Sequence, residues 1–224
     1  MTPSINSVRR SYAAVLVLLA LVLVGGCSSM YYDAMEQLGF EKRDILVDRV
    51  EEARDAQGEA QETFRSSLER FQSVVNTPDT DLKAKYEEIR DAYEDSEAVA
   101  ADVRDRIDAV EDVSGALFEE WEDELDRYES ASLRRSSERQ LQETQQRYAQ
   151  LIDRMHQAES RMGPVLEAFE DQVLFLKHNL NAQAIGSLES ELGRIQQDVD
   201  ALIQNMEAAI AESQSFIDSF QTAQ

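Results

Sequence analysis

Residues 82–128 read LKAKYEEIRDAYEDSEAVAADVRDRIDAVEDVSGALFEEWEDELDRY. Within this stretch Leu82, Tyr86, Ile89, Tyr93, Ser96, Ala100, Val103, Ile107, Val110, Ser114, Leu117, Trp121, Leu125 and Tyr128 recur at steps of three and four. A repeat that averages 3.5 residues keeps one narrow seam on one side of a helix and supercoils it left-handedly against its partners. Acidic and basic side chains fill the remaining positions, so the helix is amphipathic rather than buried all round. Gly115 lies inside the run and weakens it by about 1 kcal/mol. Ser130-Ala131-Ser132 then supplies a turn and a helix cap.

The same pattern extends to both sides. Before it, Leu46, Val50, Ala53, Gln57, Ala60, Phe64, Leu68, Phe71 and Val75 form a second seam, closed by Asn76-Thr77-Pro78-Asp79. Pro78 suits the first position of the following helix, with Thr77 as its N-cap. After it, a third helix starting near Ser132 carries Leu133, Leu141, Tyr148, Leu151, Met155, Ala158, Met162, Val165 and Phe169. Gly163-Pro164 predicts a kink or short break there, because proline lacks a backbone donor. Asn179-Leu180-Asn181 ends that helix. A fourth carries Ile185, Leu188, Leu192, Ile195, Val199, Leu202, Met206, Ile210, Ser213, Phe216 and Phe220, with no further domain expected after it.

Clear strand alternation is absent from the sequence. The expected fold is all-α: an elongated, antiparallel, up-and-down bundle of about four long helices, roughly 44–75, 79–129, 132–178 and 182–221. A three-helix, spectrin-like packing or an intermolecular coiled coil is the alternative.

The N-terminal region has a different character. Arg9 and Arg10 precede the apolar run VLVLLALVLV at 15–24, which ends in Gly25-Gly26-Cys27. A charged region, an apolar region and a small-residue cleavage site make a signal peptide. The run is shorter than the ~20 residues a membrane-spanning helix needs. It resembles a bacterial lipoprotein signal over residues 1–26. That resemblance implies cleavage before Cys27 and acylation of the cysteine, the only one in the chain. Ser28 follows it, where an aspartate would favour the inner membrane. By the same resemblance the outer membrane is expected, facing the periplasm. The arginine pair also faintly resembles a twin-arginine export signal. Residues 27–43 form a short membrane-proximal segment, in which Tyr31, Met35 and Leu38 share one helical face.

With 45 acidic and 22 basic residues the chain carries −23. Removal of the signal takes two arginines and no acids, leaving −25. Such a balance excludes nucleic acid as a partner. With Cys27 lipidated, no thiol is left for an internal disulfide, and stability rests on helix packing.

Candidate sites are few. Glu119-Glu120-Trp121-Glu122-Asp123-Glu124 gathers carboxylates, yet a di-metal bundle needs inward carboxylates and paired Glu-x-x-His patterns. Asp153-Arg154-Met155-His156 approaches that pattern only once, with Met155 rather than His156 on the seam. No metal and no cofactor is expected. His156 and His178 are the two histidines, and no nucleophile pattern accompanies either, so no catalysis is expected. His178 with Lys177 suits a helix C-terminus. Arg134, Arg135 and Arg139 form a basic island after the acidic end of the second helix. It either neutralises that neighbour across the hairpin or binds a partner such as an anionic polymer. No phosphate loop is present, so nucleotide is not a ligand.

Three segments carry a broader resemblance: YYDAMEQLGFEKRDILVDRVEEARDAQ from Tyr31, ALFEEWEDELDRYESASLRRSSERQL from Ala116 and VLFLKHNLNAQAIGSLESEL from Val173. They resemble an uncharacterised family of bacterial coiled-coil lipoproteins, the domain of unknown function numbered 2959. The resemblance implies a helical body in the cell envelope and brings no catalytic residues. Some members bear a "DNA repair ATPase" label, which the missing phosphate loop and the acidic charge do not support. The expected role is a structural or protein-interaction module. The membrane is reached through the lipid anchor, and the partners are other envelope proteins or the chain itself. A chaperone-like module, with an apolar groove around Val173 to Leu180, is the alternative. A carboxylate-metal enzyme is a third reading.

Overall fold

The computed structural model describes residues 42–76, 81–179 and 182–221. They form four helices: α1 (Lys42–Asn76), α2 (Leu82–Leu125), α3 (Ala131–His178) and α4 (Ala182–Gln221). Each packs against its two neighbours in the ring α1–α2–α3–α4, so the bundle is up-and-down. There is no strand among the described residues. The 48 residues of α3 make a rod about 72 Å long at 1.5 Å per residue.

The seams read from the sequence meet at the axis. Leu46, Val50, Phe64, Val103, Ile107, Leu151, Met155, Met162, Val199, Leu202 and Met206 are all 0–1% exposed. Phe71 stacks on Phe169 across the bundle, with centroids 4.5 Å apart, and Phe64 lies 6.4 Å from the same ring. Offset aromatic pairs of this kind add to the area they bury. Alanines 53, 60, 92, 100, 158 and 209 are also buried, and their small size lets the helices approach closely.

Buried hydroxyls mostly return to the backbone. Ser67 and Ser96 lie 2.9 Å apart, and both donate to the Ala92 carbonyl. The Lys85 ammonium donates to the Val74 carbonyl at 2.9 Å, which places a cation at the C-terminal end of α1.

Several expectations shift. Asp81, not Thr77, caps α2: its carboxylate accepts from the Ala84 N–H at 3.1 Å. Residues 77–80 lie outside the described residues. The third helix shows no break, since α3 runs unbroken through Gly163-Pro164. Ser130 caps α3, accepting from the Leu133 N–H at 3.5 Å.

Two seam residues are exposed: Tyr128 is 42% and Leu133 58% accessible. The reason is height. Lys42, at the start of α1, pairs with Glu120, and Arg43 reaches Phe220 near the end of α4. The turn between α2 and α3 therefore passes beyond the described ends of α1 and α4, where nothing from them covers it. Val74 and Ala209 are buried where Val75 and Ile210 were expected. A helix of 3.6 residues per turn drifts against a 3.5 repeat, so the inward residue moves by one. Cys27, the signal and residues 27–41 of the membrane-proximal segment lie outside the described residues, and so does the side chain of Ile185.

Candidate interaction surface

The basic island divides at the α2–α3 turn. Arg134 donates to Asp126 across the turn at 2.9 Å, the neutralising role expected of it. Arg135 and Arg139 stand exposed and make no ion pair among the described residues. The acidic run opposite is a solvated face. Glu120 takes Lys42 at 2.6 Å, Glu122 accepts from Gln145 at 3.1 Å, and Glu124 takes Arg127 at 3.2 Å.

At the same end, Arg43, Trp121, Gln140, Glu143, Thr144, Arg147, Ser219 and Phe220 line a cleft of about 230 Å³. Arg43 is held there by the Phe220 carbonyl at 3.2 Å and by the face of its ring at 4.9 Å. Trp121 is fixed by donation from its indole N–H to Ser137 at 2.8 Å. The cleft can hold an anionic or hydrogen-bonding group.

His156 is a clasp between helices. Its Nδ1 lies 3.0 Å from Glu159 and its Nε2 3.2 Å from Glu111 on α2. The hydrogen bond to Glu159, with that to Glu111, holds its pKa above the ordinary histidine value. Arg104 approaches Glu159 from α2 at 3.6 Å. Asp153 accepts from Gln157 at 2.6 Å, while Met155 is fully buried as the pattern requires. Among the described residues no three His, Cys, Asp or Glu side chains gather to hold a metal ion. Burial raises the Tyr148 phenol above its usual range, where it packs edge-on against Phe118 at 5.4 Å.

At the opposite end of the rod, Leu174 is 46% and Phe175 38% exposed, while Val173 and Leu176 are buried. Asn179 closes α3 there, its side chain donating to the Phe175 carbonyl at 3.0 Å. Leu180 lies outside the described residues. His178 and Lys177 occupy the last turn of α3, where positive charge is favoured.

One feature has no motif to announce it. Arg147, Arg154 and Arg161 repeat every seven residues on the exposed side of α3, and none pairs with a carboxylate among the described residues. Their spacing was visible in the sequence. That they lack acidic partners, in so acidic a chain, emerges only from the packing.

These features define a class: an all-helical, up-and-down four-helix rod with a charged exterior, a cleft at one end and an exposed apolar pair at the other. The model of the family described as protein of unknown function (DUF2959) matches residues 31–220, so the chain belongs to that family. No curated protein and no solved structure matches.

Proposed function

We propose that this protein is an envelope-tethered lipoprotein whose helical rod acts as a structural or protein-interaction module and performs no catalysis. The single observation that carries the reading is the run from Arg9 to Cys27, a lipoprotein-type signal ending at the only cysteine and joined to the rod. The geometry supports it. The chain enters α1 at the end of the rod that also holds the α2–α3 turn and the end of α4. Fourteen residues lie between Cys27 and Lys42, a reach of at most ~50 Å. An acylated Cys27 therefore sets that end toward the membrane and the Leu174–Phe175 end away from it. No helix among the described residues is long and apolar enough to cross a membrane; the anchor in this reading is the acylated Cys27.

Labelling of cells with a palmitate analogue, followed by fractionation, tests it. The expected result is a labelled chain in the membrane fraction, with Cys27→Ala unlabelled and retained as the longer precursor. An unlabelled wild-type chain in the cytosol overturns the proposal.

A second reading has its own observation. The exposed Leu174 and Phe175 offer an apolar landing point at the outer end, as a chaperone-like module requires. Leu174→Ser with Phe175→Ser, which removes client crosslinks in that reading, distinguishes it from a purely structural rod.

A further inference from the structure

In a chain with 45 acidic and 22 basic residues, an arginine finds a carboxylate easily. Ten described arginines do so within 4 Å. Among the described residues Arg147, Arg154 and Arg161 do not, and neither do Arg43, Arg135 and Arg139; Arg154 donates instead to the Gln157 amide oxygen at 3.1 Å. Arg147, Arg154 and Arg161 are seven residues apart, which is ~10.5 Å along a helix. Each precedes an inward residue by one: Tyr148, Met155 and Met162. Arg147 shares the cleft with Ser219 and Phe220, so the row borders the groove between α3 and α4.

On α2, Asp105, Asp112 and Glu119 have the same spacing. All three are exposed, and none has an ion pair or hydrogen bond among the described residues. Each comes two residues before a seam position, Ile107, Ser114 or Trp121, and so points away from the core.

The heights of the two rows agree. Across the α2–α3 contact, His156 meets Glu111, Tyr148 meets Phe118 and Gln145 meets Glu122. The helices are antiparallel, so two residues back from His156 to Arg154 corresponds to the level of Asp112. By the same register Arg161 is level with Asp105 and Arg147 with Glu119, each within about one residue's rise, ~1.5 Å. The two rows of one molecule do not pair with each other. A neighbouring molecule standing parallel, with no axial slip, matches all three charges at once.

We propose that copies of this protein stand side by side at equal height, the arginine row on α3 of one against the acidic row on α2 of the next. The inference rests on the tethered reading above, because anchoring every copy in one membrane plane supplies a common direction and confines the copies together, while the matched charges set the height. Single exposed ion pairs are weak, but three in register reinforce one another, and tethering raises the effective concentration. At physiological ionic strength the screening length is ~8 Å, so the net negative charge of distant parts is damped while contacts at the seam are not. The contact is heterologous, which generates an open row or a closed ring.

The test uses full-length chains in cells. Arg154→Cys and Asp112→Cys forms are co-expressed and treated with a short bismaleimide. Cys27 is the only other cysteine and is acylated in the tethered reading. A product of twice the chain mass is expected from the mixed pair and not from Arg154→Cys alone. Adding Arg147→Glu and Arg161→Glu to the first chain lowers that product roughly tenfold or more. Adding Asp105→Arg and Glu119→Arg to the second restores it. Circular dichroism of each purified form, expected unchanged for exposed substitutions, shows that the variants fold. Membrane-bound, folded chains without the mixed product overturn the array alone, as does a product indifferent to charge reversal or of another mass. Chains recovered from the cytosol overturn the tethered reading and the array with it.

Discussion

Gln57 sits at 0% exposure on the inner face of α1, and neither its amide nitrogen nor its amide oxygen has a hydrogen-bond partner among the described residues. Burying a polar group without a partner costs about 1–3 kcal/mol. The buried serines show the contrast: Ser67, Ser96 and Ser213 bond to carbonyls, and Ser137 accepts from Trp121. Gln57→Leu is therefore expected to raise the unfolding free energy by ~1–2 kcal/mol, read from urea denaturation. An equal or lower midpoint would mean that the amide is satisfied. In the sequence Gln57 is recognisable as a seam residue. Its missing partners are not, because they depend on what α2, α3 and α4 present at the same height.

At the scale of the element, the helices are held by their seams rather than by optimal local sequence. Gly115 lies inside α2, and a methyl group added there meets no atom within 4 Å. Gly115→Ala is expected to stabilise the fold by about 0.5–1 kcal/mol, since alanine removes the entropic cost of glycine in a helix and meets no clash. A lower melting temperature would contradict it. The α2–α3 pair also has a titrating contact. The folded state raises the His156 pKa through Glu159 first and Glu111 next. Its stabilising contribution is therefore complete below the unfolded value near 6.5 and disappears as pH rises through the higher folded value. The side chain is 45% exposed, so solvent screening keeps the effect to a few tenths of a kcal/mol. His156→Gln should lower stability slightly at pH 5.5 and leave it unchanged at pH 9. A loss that is larger at pH 9 would reverse the assignment. The boundaries of the elements were less readable than their existence. Thr77 and Asp81 are both good caps, and the choice of Asp81 depends on where α2 meets α1.

For the whole molecule, charge is the dominant sequence-level quantity. A balance of −23 opposes compaction. Exposed ion pairs that salt would weaken contribute ~0–1 kcal/mol each, whereas screening relieves the repulsion among all the excess acids. The melting temperature is expected to rise between low salt and 0.5 M sodium chloride. For a chain of this size each kcal/mol corresponds to about 2–4 °C. A fall over that range would show that the ion pairs outweigh the repulsion.

The sequence by itself determined the helical class, the four seams and the position of the lone cysteine, because amphipathic periodicity and signal-like composition are local properties. Family membership was likewise readable from residues spread along the chain. Only the tertiary structure decided which seam residues lie uncovered at the rod's ends, which arginines go without acids, and that two charged rows share one height. Those properties depend on the relative axial positions of separate helices. A periodic pattern repeats equally well at every slip of a whole heptad, so the interlocking of side chains must select one.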